Sequence, residues 1–176
     1  NVRQKLRTAQ RVAAHDPFFA GNVDALIAAQ PKDLEASEIE VRLGATWLDK
    51  KYIEQFMYET FETPRYLRGQ IEISYVPYTA EWQVSRKSMV RYNDVAAFTT
   101  YGTDRASAYR LLEDALNLRD IRIYDTIEDA DGRERRVLNA KETTLAAQKQ
   151  QLIRDAFKDW IWKDPERRQA LVRQYN

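Results

Sequence analysis

The chain has 176 residues, of which 44% are hydrophobic and 31% charged, a balance that excludes a disordered protein and suits one folded domain with a real core. Lys and Arg number 28 against 27 Asp and Glu, so no overall positive charge indicates nucleic acid and only local patches could bind it. The absence of cysteine excludes disulfides and thiolate sites, and no apolar run approaches the ~20 residues that span a bilayer, so we expect a cytoplasmic protein without a membrane partner.

The N-terminal part is predicted to be helical. Apolar residues recur with a helical period from Val2, and this first helix should end at the Asp16-Pro17 pair. A second, shorter helix with the same period should end before Pro31. The first and last segments of the sequence are predicted helices without terminators, so we expect the chain to be a segment of a longer protein.

The next region carries one strand signal and one helix signal. Ile39, Val41 and Leu43 alternate with polar residues, which predicts a short strand. Asp49 is placed to cap a third helix, which Pro64 should end.

From residue 70 onwards the apolar period changes from helical to two. Residues 71–75 and 80–84 predict a hairpin, and a helix should follow the Tyr101-Gly102 turn. A second hairpin is predicted around Asp131-Gly132, because Asp-Gly between two apolar runs is a strong turn signal. Asn139 should cap a long helix, and Asp164 should cap the last one.

This order of elements predicts an α+β fold, with an antiparallel sheet built from two hairpins and packed by a central helix. We expect residues 1–176 to form a single module in three parts. These are a mostly helical N-terminal part (1–63), a hairpin-helix-hairpin core (64–139) and C-terminal helices (140–176).

The glycine turn before the central helix raises the question of a phosphate site, because helix N-termini present unpaired N–H groups to anions. The chain has no phosphate-loop motif, and Asp104 puts a carboxylate where the anion would lie. We therefore interpret Gly102 as the turn residue, Thr103 as the helix cap and Asp104 as a first-turn acid. Only Arg105 is kept as a phosphate contact.

Arginines interleave with aromatic residues along the middle of the chain, as they do on surfaces that follow a nucleic-acid backbone. The alternative for each is an ordinary solvated side chain. The residues that we select as candidate DNA contacts are Arg65, Arg68, Arg86, Lys87 and Arg105.

Two other functions remain open. A metal-dependent nuclease would use Glu72, Glu81 or Asp94, which lie near Lys87 in the sequence. A protein-binding platform would use Trp47, Trp82 and Trp162.

Several segments resemble one family of large proteins from conjugative elements and phages. In these proteins an N6-adenine DNA methyltransferase is joined to a Swi/Snf-like superfamily II helicase, and the similar region lies just before the helicase core. The similar segments are residues 30–34, 39–47, 52–56, 101–106, 116–120, 141–144 and 157–175. The block from Trp160 to Arg168 and the C-terminal residues 173–176 are the most specific part.

The resemblance implies a parent protein that acts on DNA and uses ATP, magnesium and S-adenosylmethionine. This chain has no Walker lysine loop, no D-E-x-H box and no methyltransferase tetrapeptide, so those activities and cofactors are expected outside it. The expected partners are DNA and the adjacent methyltransferase and helicase domains. No catalytic residue and no metal site are carried over.

Overall fold

The computed structural model describes residues 2–176, and the chain divides into two compact units. The smaller unit ends at Glu35 and also includes Asn176, whereas the larger runs from Ala36 to Tyr175. The single module expected over residues 1–176 therefore has a division inside its helical N-terminal part.

The smaller unit is a pair of helices. Helix α1 (Val2–His15) packs against α2 (Ala20–Ala28), and a 3-10 turn (Pro17–Phe19) joins them. The Asp16 carboxylate accepts a hydrogen bond from the Phe18 amide at 3.0 Å, while Pro17 supplies the fixed backbone angle of the turn. Both predicted helices are confirmed.

The larger unit begins with an irregular segment and helix α3 (Lys50–Thr60). Asp49 caps α3 by accepting from the Lys51 amide at 2.9 Å, as predicted. The strand predicted at Ile39, Val41 and Leu43 is wrong. These side chains are buried and alternate with exposed neighbours, but the backbone of this segment pairs with no strand among residues 2–176.

The first hairpin joins β1 (Ile73–Val76) to β2 (Glu81–Val84) in antiparallel register, with Ile73 opposite Val84. Helices α3 and α4 (Ala108–Leu116) pack against it, one beside each strand. Trp82 and Val84 on β2 are buried, as is Ile73 on β1. The predicted hairpin is confirmed.

The second hairpin joins β3 (Tyr124–Glu128) to β4 (Glu134–Leu138), and Gly132 adopts φ +76° in its turn. This left-handed conformation is the one that Asp-Gly turns favour. The two hairpins form two separate two-stranded sheets rather than one sheet, because no strand of one pairs with a strand of the other. The predicted α+β class is confirmed.

Helix α5 (Ala140–Lys163) lies against both α3 and α4, and α6 (Pro165–Tyr175) packs on α5. Asn139 caps α5 by accepting from the Glu142 amide at 3.0 Å. The core where α3 meets α5 is aromatic, since Phe56 contacts Phe61 and Phe157 edge to face at ring distances of 6.1 and 5.1 Å.

Across residues 2–176, the helices are all too short or too polar to cross a lipid bilayer.

Candidate nucleic-acid interface

Four cationic side chains line one concave surface of the larger unit, a cavity of about 490 Å³ that we call the basic cleft. They are Arg86, Lys87, Arg105 and Arg110. Arg86 and Lys87 come from the turn that follows β2. Arg105 comes from the segment before α4, and Arg110 lies in the first turn of α4.

The turn after β2 places Arg86 in a conformation that is unusual for its residue type. Arg86 has φ +54° and ψ +34°, the left-handed region, immediately before a 3-10 turn (Lys87–Met89). A non-glycine residue there costs on the order of 1–2 kcal/mol. Strain of this kind is enriched at functional sites, where the surrounding structure holds it.

A π-helical segment (Ala96–Thr100) forms another wall of the cleft and contributes Phe98. Its wide turn is closed by the Tyr101 amide, which donates to the Ala96 carbonyl at 3.0 Å. The Asp94 carboxylate accepts from the Ala97 amide at 2.9 Å and fixes the start of the segment. Single π turns are rare and occur often at functional sites.

Gly102 lets the π-helical segment pack against the start of α4. A Cβ atom built on Gly102 would lie 2.0 Å from the Ala97 carbonyl oxygen and 2.9 Å from that of Ala106. No side chain fits at these distances. Gly102 is therefore required by the close approach of two backbone segments, both of which reach the cleft.

The predicted start of α4 is wrong by several residues. Helix α4 begins at Ala108, and its cap is Ser107, whose hydroxyl accepts from the Arg110 amide at 3.3 Å. Thr103 instead closes a separate turn by accepting from the amides of Arg105 and Ala106 at 3.2 and 3.1 Å. Asp104 consequently lies before the helix and not in its first turn.

Two of the four cations form salt bridges and two do not, although Arg110 Nη1 donates to the Arg105 carbonyl at 3.4 Å. Lys87 Nζ lies 2.7 Å from a Glu113 carboxylate oxygen, and Arg105 Nη1 lies 2.7 Å from Asp125. The Arg105 hydrogen bond lowers the pKa of Asp125 below its ordinary value. Neither Arg86 nor Arg110 forms a salt bridge with any side chain of residues 2–176. These two charges are the ones available to an anion.

The structure brings together three of the five predicted DNA contacts: Arg86, Lys87 and Arg105. The other two do not line the cleft: Arg65 begins the 3-10 turn after α3 (Arg65–Leu67), and Arg68 follows that turn. Arg68 donates to the Thr63 carbonyl at 2.9 Å and lies over the Tyr58 ring at 5.8 Å, contacts that hold the local fold.

Arg110 and Phe98 were not selected from the sequence. Arg110 follows the true cap Ser107 by three residues, so a correct helix start would have placed it at the same end of α4 as Arg105. Phe98 cannot be recognised as a cleft residue from the sequence, because a π-helical turn has no distinctive sequence pattern.

The carboxylates of the nuclease alternative have other positions and roles. Glu72 and Glu81 are exposed on or beside the first hairpin, and Asp94 caps the π-helical segment. No three His, Asp or Glu side chains within residues 2–176 are grouped so as to hold a metal ion.

The tryptophans of the platform alternative do not share a surface. Trp82 is buried in the core, with an exposed fraction of only 5%. Trp47 packs edge to face on Tyr175 at 5.2 Å and lines a separate cleft with the exposed Leu118.

Comparison with known sequences covers most of the larger unit. Residues 42–176 match the profile of DUF8437, a domain of unknown function. No curated protein and no solved structure matches the chain.

Proposed function

The chain belongs to the DUF8437 family, and we propose that it is a non-catalytic DNA-contacting module that binds the phosphate backbone through the basic cleft. The observation that supports this most directly is the convergence of Arg86, Lys87, Arg105 and Arg110 on one concave surface. Arginines spread over several surfaces would instead have favoured a module that only connects neighbouring domains.

The sequence resemblance supports a wider setting for the proposal. In this setting the module belongs to a DNA methyltransferase-helicase of a mobile element or phage and works in the cytoplasm. It connects the methyltransferase to the ATP-dependent helicase and positions the helicase on DNA. ATP, magnesium and S-adenosylmethionine act in those other domains, and the module itself performs no chemical step.

Fluorescence anisotropy with labelled DNA at low salt tests the DNA contact. We expect weak binding that falls steeply with salt, since each phosphate contact contributes about 0.7–0.9 to the slope of log K against log salt. Arg86→Ala and Arg110→Ala should each lower that slope by about 1. Lys87→Ala and Arg105→Ala should have smaller effects, because these side chains are already paired with Glu113 and Asp125.

Arg168→Ala is the matched control, since Arg168 is exposed on α6 and does not line the cleft. This variant should bind as the unaltered protein does. A flat titration at low salt would contradict the DNA contact and leave a structural connector.

A protein-binding platform is the second candidate, and a different surface supports it. Leu118 has an exposed fraction of 67% and a left-handed φ of +57°, and it lines a cleft with Trp47 and Tyr175. If this candidate is correct, Leu118→Asp should abolish binding of a separately produced helicase or methyltransferase domain of the proposed parent protein, while leaving DNA binding unchanged.

A further inference from the structure

Resting on the proposed DNA contact, we infer that the basic cleft takes an unpaired nucleotide of a DNA strand, with its base against Phe98 and its phosphate between Arg86 and Arg110. This inference names the form of DNA that the cleft binds. Three observations support it: the open shape of the cleft, the partial exposure of the Phe98 ring, and the cationic and anionic side chains that line the cleft.

The cleft is a shallow concavity that opens widely to solvent, with a volume of about 490 Å³. An unpaired nucleotide can lay its base flat against the wall of such a surface. The bases of a duplex are stacked inside the helix, so a duplex would present mainly its backbone to the same wall.

Phe98 has the environment of a stacking residue. Its side chain is half-buried in the cleft wall, and it makes no ring contact with another aromatic residue of the described chain. By contrast, Phe56, Phe61 and Phe157 all belong to the aromatic core. Base stacking on an aromatic ring is the main sequence-independent way in which proteins bind single strands.

The backbone around Phe98 is specialised to present it. The π-helical turn carries the ring, Asp94 fixes the start of that turn, and Gly102 holds its far end against α4. Arg86 faces the same cleft from a strained left-handed position. The π-helical turn and the left-handed backbone of Arg86 thus both lie at the basic cleft.

The cleft presents both cationic and anionic side chains to a ligand. Arg86 and Arg110 have no salt-bridge partner among residues 2–176, so they can pair with a phosphate. Asp104 also lines the cleft, is exposed and forms no salt bridge among the same residues. Its carboxylate repels phosphate but accepts hydrogen bonds from the amino groups of cytosine, adenine or guanine.

The experiment compares DNA forms on the full 176-residue chain. Anisotropy is measured with a labelled single strand of about 12 nucleotides, its duplex, and the same strand with abasic sites that keep every phosphate. We expect the single strand to bind about tenfold more tightly than either of the other two.

Variants of Phe98 give the matched protein-side test. Phe98→Leu keeps an apolar side chain but removes the aromatic face, so single-strand affinity should fall about tenfold while abasic-strand affinity stays unchanged. Phe98→Trp should retain single-strand binding. Urea midpoints of both variants check that the fold is intact. If a variant fails to fold, the comparison of intact and abasic strands on the unaltered protein still tests the proposal.

The outcomes separate the two proposals. Equal binding of intact and abasic strands would overturn the unpaired-nucleotide site and leave the DNA contact standing. Absence of binding to every DNA form would overturn both. Free deoxyadenosine monophosphate should displace the strand only at high concentration, because it lacks the flanking phosphates. Displacement at concentrations near the strand's own Kd would assign the cleft to soluble nucleotides and overturn the strand proposal.

Discussion

At the scale of single residues, Gly102 and Arg86 shape the cleft in opposite ways. Gly102 has no room for a side chain, because an added Cβ would lie only 2.0 Å from the Ala97 carbonyl oxygen. Arg86 holds a long charged side chain at a backbone angle that favours glycine. The first residue permits the cleft to form, and the second supplies a charge to it at a cost in strain.

Gly102→Ala should lower the free energy of unfolding by about 3 kcal/mol, because the added methyl group would overlap backbone atoms that cannot move independently. Urea denaturation followed by circular dichroism measures this. Gly21→Ala is the control, since a Cβ at Gly21 meets no atom within 4 Å and alanine favours helix α2. Equal effects of the two substitutions would contradict the close-approach argument.

Tyr109 is a buried residue whose effect should depend on pH. It is fully buried beside Thr63, and the two hydroxyls are 2.6 Å apart. Burial raises the pKa of Tyr109 to about 12 from its ordinary value of 10.0. Between these values the unfolded chain releases the phenolic proton while the folded chain keeps it. Stability should therefore be unaffected below pH 10 and fall as the pH rises towards 12.

This loss should reach roughly 2–3 kcal/mol only above pH 12, and about half of it should be present at about pH 11. We would measure urea midpoints at about pH 9 and about pH 11 for the unaltered protein and for the double variant Thr63→Val, Tyr109→Phe. The difference between the two proteins gives the part of the alkaline loss of stability that Tyr109 causes. The double variant removes both hydroxyls, so neither is left without a partner. The same alkaline loss in both proteins would mean that other groups cause it.

At the scale of elements, helix side chains complete the first hairpin. The Asn117 side chain accepts from the Trp82 amide at 2.7 Å and donates to the Trp82 carbonyl at 2.8 Å, and Glu113 accepts from the Val84 amide at 2.8 Å. On the other edge, Glu54 accepts from the Ile73 amide at 2.9 Å. A two-stranded sheet is marginal by itself, and these contacts satisfy edges that would otherwise be unpaired.

Asn117→Ala should therefore cost about 2–4 kcal/mol, since it leaves the N–H and the C=O of Trp82 without partners. Thermal and urea unfolding both measure the loss. Asn93→Ala, in an exposed loop, should change stability by less than about 0.5 kcal/mol. A similarly small effect at Asn117 would mean that water replaces the side chain at this edge.

The second hairpin differs from the first in both exposure and charge. Every residue of β4 is exposed, and residues 124–138 hold three arginines against five carboxylates. Arg136 lies over the Tyr124 ring at 4.3 Å, and Arg135 pairs with Asp129. Arg135 and Arg136 thus make contacts within the hairpin, and the acidic balance of the hairpin disfavours contact with phosphates.

At the scale of the whole molecule, the larger unit and the family match nearly coincide. The unit spans Ala36–Tyr175, and the match spans residues 42–176. Its core joins α3, α4 and α5 to the first hairpin. Gln150 of α5 adds a buried polar link, since its side chain donates to the Arg119 carbonyl at 3.0 Å and accepts from the Ile121 amide at 3.3 Å.

A fragment of residues 36–175 should fold alone and keep the basic cleft, because every cleft residue and its salt-bridge partners lie inside this unit. We expect one cooperative urea transition and a DNA affinity within about twofold of the 176-residue chain. A fragment beginning at residue 64 is the contrasting case. It lacks α3 and with it the buried Ile53, Phe56 and Met57, so it should not fold. A folded 64–175 fragment would contradict this account of the core.

The sequence by itself determined the helices, the hairpins and most of their caps. These depend on local patterns: apolar periods of 3.6 or two, Asp49, Asn139 and Asp164 at caps, and Asp-Gly at a turn. The same patterns failed where a local signal had two interpretations. Thr103 and Ser107 are both good caps, and Ile39 to Leu43 alternate as a strand does without having a partner strand.

Only the tertiary structure decided which charges meet. Arg86, Lys87, Arg105 and Arg110 are separated by up to 24 positions in the sequence but share one cavity, whereas Arg65 and Arg68 resemble them in sequence and do not line it. It also decided that Lys87 and Arg105 form salt bridges while Arg86 and Arg110 form none among residues 2–176. The physical reason is that ion pairs, π turns and close backbone approaches arise from contacts between elements, which no local pattern specifies.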